Sequence, residues 1–166
     1  CADIARALSG ESGRSFIAPG GRWHLLKDRL HLILYPADEV SADAFTLTLG
    51  SELTAPIRLS LEERIVDEAF TISRSPHVAT FDADRIALPL TLRRWRAGDS
   101  FVPFGMTGRK KLSDYFSDHK FSLLRKAAAW ILCDASGRIL WIVGHRTDNR
   151  FRITSKTSRA LIVTQG

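Results

Sequence analysis

Cysteine is scarce in this chain: Cys1 and Cys133 are the only two. That count gives no basis for a disulfide framework, and a reducing cytoplasm is the expected setting. Long apolar runs are missing too. The strongest, "AAAWILCDASGRILWIV", is broken by Asp134 and Arg138, short of the roughly 18 uninterrupted residues that a membrane helix needs. No membrane partner is expected. The opening "CADIARALSG" lacks the basic start and apolar core of a secretory signal. Starting on Cys1 within what reads as a helix tail, the sequence is expected to continue a longer chain.

Catalytic motifs are also lacking. "GMTGRKKLS" does not have the GxxxxGK[ST] spacing that lets a loop cradle phosphates. There is no GxSxG elbow, no HExxH and no Cys/His cluster with zinc spacing. The histidines, His24, His31, His77, His119 and His145, lie far apart in sequence. His119, at the end of an amphipathic stripe beside Asp118, reads as a packed or dipole-satisfying residue. His145, near Asp148 in "GHRTDNR", reads as part of a turn. By its residues alone this is a binding module.

What is present is an uneven distribution of charge. The chain has 166 residues, 45% hydrophobic and 25% charged, enough for one ordinary domain or two small lobes with a real core. Residues 1–90 carry 9 Lys+Arg against 13 Asp+Glu, a balance of −4, and residues 91–166 carry 15 against 5, a balance of +10. A concentrated cationic half suggests a polyanionic partner. Trp95, Phe101, Phe104, Tyr115 and Phe116 are interleaved with its cations, which argues against simple solvation.

Periodicity gives mostly strands. "RSFIAPGGRWHLLKDRLHLILYP" is cut into three apolar runs by Pro19-Gly20-Gly21 and Lys27-Asp28 and predicts a small meander. "AFTLTLG", "APIRLSLEERIVD" and "AFTIS" are further strand candidates with partial alternation. "SPHVATFDADRIALPL" reads as repeated turns, and a lobe boundary is placed there. After it come the strand "LPLTLRRW", the turn "RAGD" and the helix "RKKLSDYFSDHK", whose Leu112, Tyr115, Phe116 and His119 form one stripe. Ser122 is placed to cap a second short helix. "WILCD", "RILWIVG", "FRIT" and "ALIVTQ" read as closing strands. The organisation read from this is residues 1–36 as the tail of a preceding region, 37–90 as an acidic lobe and 91–166 as a basic domain.

The stretch "RRWRAGDSFVPFGMTGRKKLSDYFSDHK", followed by "ILWIVGHRTDNRFRIT", resembles the C-terminal domain of the bacterial tRNA(Ile)-lysidine synthases. The matching residues include Arg94, Arg96, Gly98, Asp99, Pro103, Gly105, Met106, Gly108, Lys110, Lys111, Asp114, Trp141, Gly144 and Arg146, in the family's order across residues 88–163. The resemblance implies an α+β fold of mostly antiparallel strands, a twisted β-sandwich with few short helices, related to a tRNA-associated domain of the phenylalanyl-tRNA synthetase beta subunit. It also implies membership of an ATP-dependent ligase that joins lysine to the wobble cytidine of tRNA(Ile). The SGGxDS nucleotide loop of the family's N-terminal domain is not in this sequence. ATP and magnesium are therefore expected on that N-terminal domain, with no cofactor, metal or catalytic residue in this chain. Expected partners are tRNA(Ile) and the enzyme's own N-terminal catalytic domain, with a homodimer as a further option.

The expected RNA-binding residues are Arg93, Arg94, Arg96, Arg109, Lys110, Lys111, Lys120, Arg125, Arg146 and Arg150, with Arg152 extending the surface. Strand alternation would send Arg94 and Arg96 to one face for phosphate contacts; the competing reading is a solvated edge that discourages sheet pairing. Lys110 and Lys111 at a helix start could converge on a phosphate, or could simply be exposed. Trp95, Phe101, Phe104, Phe116 and Trp141 offer stacking faces, but structured tRNA is read largely by shape and backbone, and core packing suits most of them better. Two other readings stay open: a DNA-binding module using residues 111–128 as a helix-turn-helix, and a structural module for docking or dimerisation.

Overall fold

The computed structural model describes residues 44–166 throughout and, before them, the backbone of three strands. These are β1 (Ser15–Ile17), β2 (Trp23–Asp28) and β3 (His31–Pro36), paired antiparallel in the order β1-β2-β3. They are the meander that the punctuated apolar runs predict. The helix tail expected in "IARAL" lies outside the described residues. This meander belongs to one compact unit, Cys1–Ala42, and the rest of the chain, Asp43–Gly166, forms a second.

The second unit is built on two antiparallel sheets. One has the order β13-β12-β11-β8-β4, from β4 (Phe45–Leu47), β8 (Leu90–Arg94), β11 (Trp130–Cys133), β12 (Ile139–Ile142) and β13 (Arg146–Thr147). The other has the order β5-β6-β14-β7, from β5 (Glu52–Leu53), β6 (Leu59–Ile65), β7 (Val78–Asp82) and β14 (Arg159–Gln165). One core lies between them. Leu47, Leu90, Leu92, Leu132 and Trp141 from the first sheet meet Leu59, Leu61, Phe81, Leu161 and Val163 from the second. Alternation on β8 and β6 presents leucines to this core, which is the antiparallel sandwich pattern.

The outer face of the five-stranded sheet is covered as well. A hairpin of β9 (Ser100–Phe101) and β10 (Lys110–Lys111) leads into α1 (Leu112–Asp118), followed by α2 (Leu123–Ala128). Phe101, Leu112, Tyr115 and Phe116 pack there on Ile131, Cys133, Ile139 and Ile142. Covered on both faces, all four residues of β12 are buried, so "ILWI" is apolar throughout rather than alternating. The three stripe residues within α1, Leu112, Tyr115 and Phe116, are buried, and the fourth, His119, follows as its C-cap. His119 is not buried, and its ring stacks on Tyr115 with centroids 3.9 Å apart. Ser122 caps α2 by accepting from the Arg125 N–H at 3.2 Å.

Several sequence expectations need correction. The lobe boundary near residue 90 is not a structural boundary: β4 pairs with β8, and β6 and β7 pair with β14, so residues 37–90 and 91–166 do not form separate lobes. Long-range pairing of this kind leaves no local composition signal. Within "SPHVATFDADRIALPL", read as turns, β7 is a core strand with Ala79 and Phe81 inward. "AFTIS" forms no strand, and "FRIT" begins in a 3₁₀ turn at Asn149–Phe151.

Candidate nucleic-acid interface

Carboxylates in the basic half are mostly engaged at short range, and this decides which cations face solvent with their charge intact. Arg93 grips Asp99 through two bonds, Nη1 to Oδ2 at 2.8 Å and Nη2 to Oδ1 at 3.0 Å. Asp99 holds the turn that "RAGD" predicts, accepting also from the Arg96 N–H at 2.7 Å. The bond to Asp99 raises the Arg93 pKa, against the opposing effect of burial. Lys110 pairs with Asp118. Buried Asp148 accepts from Arg150 Nε at 3.0 Å and Nη2 at 2.9 Å, and from the Val102 N–H at 3.0 Å. Buried Asp134 holds Arg138.

Arg93, Lys110 and Arg150, all expected on RNA, each carry an internal ion pair. Arg93 is only 15% exposed, because β8 alternation turns it toward the helix-covered face while Leu92 faces the sandwich core. Arg94 donates to the Ala128 carbonyl and lies over Trp130, its guanidinium carbon 3.7 Å from the ring centroid. Arg125 lies over Phe121 at 4.3 Å. Arg96, Arg109, Lys111, Lys120 and Arg146 are exposed, with no salt bridge among the described residues.

Two open clefts share His145. The larger, about 700 Å³, is lined by Arg74, Phe104, His145, Arg146 and Arg152, with Trp141 among its other walls. The smaller, about 360 Å³, is lined by Arg94, Arg125, Trp130 and His145. Partial burial, and then the charge of Arg125, hold the His145 pKa below its ordinary value of 6.5. Its ring rests on Phe121, centroids 4.7 Å apart. The arrangement is a cationic depression with aromatic faces, suited to a phosphodiester chain. Among the described residues no cluster of His, Cys, Asp or Glu could hold a metal ion.

Residues 90–163 match the family model described as "TilS substrate C-terminal domain". Over 162 residues the chain is 46% identical to the tRNA(Ile)-lysidine synthase of Parabacteroides distasonis, covering 97% of this chain and 36% of that protein. The chain belongs to the C-terminal region of the tRNA(Ile)-lysidine synthase family. The tRNA(Ile)-lysidine synthase of Bacteroides thetaiotaomicron is 43% identical over 160 residues, covering 96% of this chain and 34% of that protein. The chain thus spans about a third of the length of these synthases. A crystal structure of a TilS C-terminal domain superposes with a TM-score of 0.61 at 24% identity, covering 74% of this chain and 96% of that one, which fixes the fold. An N-terminal fragment of the phenylalanyl-tRNA synthetase beta subunit from Pyrococcus horikoshii is a weaker neighbour, with a TM-score of 0.47.

Three contributors to this face of the synthase C-terminal region escape sequence reading. Arg74 lies in the acidic part of the sequence, within "TISRSPH", and nothing local marks it. His145 reads as a turn residue, and it is one, donating its N–H to the Ile142 carbonyl at 2.8 Å, yet it joins both clefts. Phe104 is grouped by sequence with core aromatics, whereas it is 49% exposed. The signal that could have separated it from Phe101 is its place between Pro103 and Gly105, outside any strand period.

Proposed function

We propose that this chain is the tRNA-gripping part of a tRNA(Ile)-lysidine synthase, the enzyme that uses ATP to join lysine to the wobble cytidine of tRNA(Ile). The observation that carries this reading is the pair of clefts lined by Arg74, Arg125, Arg146 and Arg152, guanidiniums that form no salt bridge with any described carboxylate. Backbone phosphates supply the missing counter-charge, and contacts of that kind position an RNA body without reading its sequence. ATP, magnesium and lysine belong to the N-terminal catalytic domain, which is the chain's second partner. The cytoplasm is the compartment where these substrates meet.

The test is a gel shift of this chain with tRNA(Ile), set against an unstructured RNA of equal length and duplex DNA. Preference for the tRNA supports the proposal. Equal binding of duplex DNA would favour a general nucleic-acid module, although helices of seven and six residues, with α1 buried along one face, make a short reading head. No binding to any of them would favour a docking role toward the catalytic domain.

A further inference from the structure

Beside the basic wall of the larger cleft stands an aromatic ring that the fold leaves half exposed. Phe104 is 49% exposed and makes no ring contact among the described residues, whereas Phe101 and Phe116 are fully buried. Leaving such a ring half exposed forgoes part of the stabilisation that burial would give, and its position is not left loose. The Phe104 N–H donates to the Thr147 carbonyl at 2.9 Å. The next residue, Gly105, donates to Asn149 Oδ1 at 3.2 Å, and Asn149 Nδ2 returns a bond to the Met106 carbonyl at 2.9 Å. Gly105 has φ of 85°, which lets the loop turn over this amide. One side chain therefore clamps the two residues that follow the ring.

Phe104 lines the same cleft as Arg74, Arg146 and Arg152, together with Ser73 and Ser75. At about 700 Å³ the space falls in the usual range of sites for small organic groups. A flat ring held at the edge of a cationic cleft fits an unstacked nucleobase, with its phosphates on the guanidiniums and its edge toward the hydroxyls. Inside a duplex no base face is open to such a ring, since each base is stacked on both sides. We propose that this cleft takes an unpaired nucleotide from a single-stranded end next to a helical stem, stacked on Phe104. The proposal rests on the tRNA-binding reading and specifies which part of the RNA enters this cleft.

The experiment compares two RNA hairpins, one blunt and one with a short single-stranded 3′ extension, binding to the 166-residue chain by fluorescence anisotropy. The extended hairpin should bind more tightly. Phe104→Ala should remove that advantage, weakening the extended hairpin about tenfold, as loss of one stacking partner does, to about the affinity of the blunt one. Phe104→Trp should keep it. Because Phe104 is exposed, the Ala variant is expected to fold, and a matching urea midpoint checks this. Equal wild-type binding of both hairpins overturns the proposal while leaving RNA binding in place. An Ala variant that weakens both hairpins equally, or neither, overturns it too. Failure of the wild type to bind either RNA removes the underlying reading along with it.

Discussion

Arg93 and Asp99 clasp each other across the turn that ends β8, both side chains about 15% exposed or less. The pair joins a strand end to the hairpin that carries α1, since the Leu112 N–H donates to the Asp99 carbonyl at 2.9 Å. Removing one partner of a largely buried pair strands the other charge, at about 3 kcal/mol. Arg93→Ala should lower stability by that order in urea denaturation, with RNA affinity of the folded fraction unchanged. A loss of RNA affinity without a loss of stability would return Arg93 to the binding surface.

Lys110 and Lys111 are neighbours with different expected behaviour. Lys110 is neutralised by Asp118, and that pairing lowers the Asp118 pKa. Lys111 is exposed at the start of α1. Lys111→Ala should weaken tRNA binding several-fold, the loss of about one charge-assisted phosphate contact, and Lys110→Ala should weaken it less. Filter binding of both variants decides the order.

Lys120 closes α1 in a left-handed conformation, φ 54°. Its N–H donates to the Ser117 carbonyl at 3.1 Å, and the Phe121 N–H to the Phe116 carbonyl at 2.9 Å, a stop that ordinarily favours glycine. Lys120→Gly should relieve strain and stabilise the protein by up to about 1 kcal/mol. If the lysine is retained for its charge, the same variant binds tRNA more weakly as it becomes more stable.

Salt reports the number of phosphates engaged. With roughly four to six contacts, log K should fall against log salt with a slope of about −3 to −5. A slope near zero in a titration from low to physiological salt would mean that the exposed cations are only solvated.

His145 gives a pH dependence with a definite sign. Its folded pKa lies below 6.5 because of partial burial and the charge of Arg125, with smaller effects of His119 and His77. Between those two values the unfolded chain binds the proton more than the folded one, so stability rises with pH across that window and is lost as pH falls through it. His145→Gln should flatten this part of the stability profile measured by urea midpoints. An unchanged profile would place the titration elsewhere.

Purified alone, the chain should neither hydrolyse ATP nor form lysidine, because the SGGxDS loop is not in its sequence. Lysidine detected by mass spectrometry after incubation with tRNA(Ile), ATP and lysine would refute this.

Much was decided by local pattern. The punctuated runs of the meander, the stripe of Leu112, Tyr115 and Phe116, the Ser122 cap and the all-apolar β12 follow from short-range periodicity and turn chemistry, as does the cationic excess of residues 91–166. The tertiary structure decided which cations remain available. Arg93 and Arg94 are identical in composition, and strand geometry sends them to opposite faces, one onto Asp99 and the other onto Trp130. Arg74 shares a cleft with Arg146 only because residues 72–76 run on into β7, which pairs with β14 in the sheet stacked on the one that carries β12 and β13. Such meetings depend on contacts between residues far apart in the chain, and no window of sequence contains both partners.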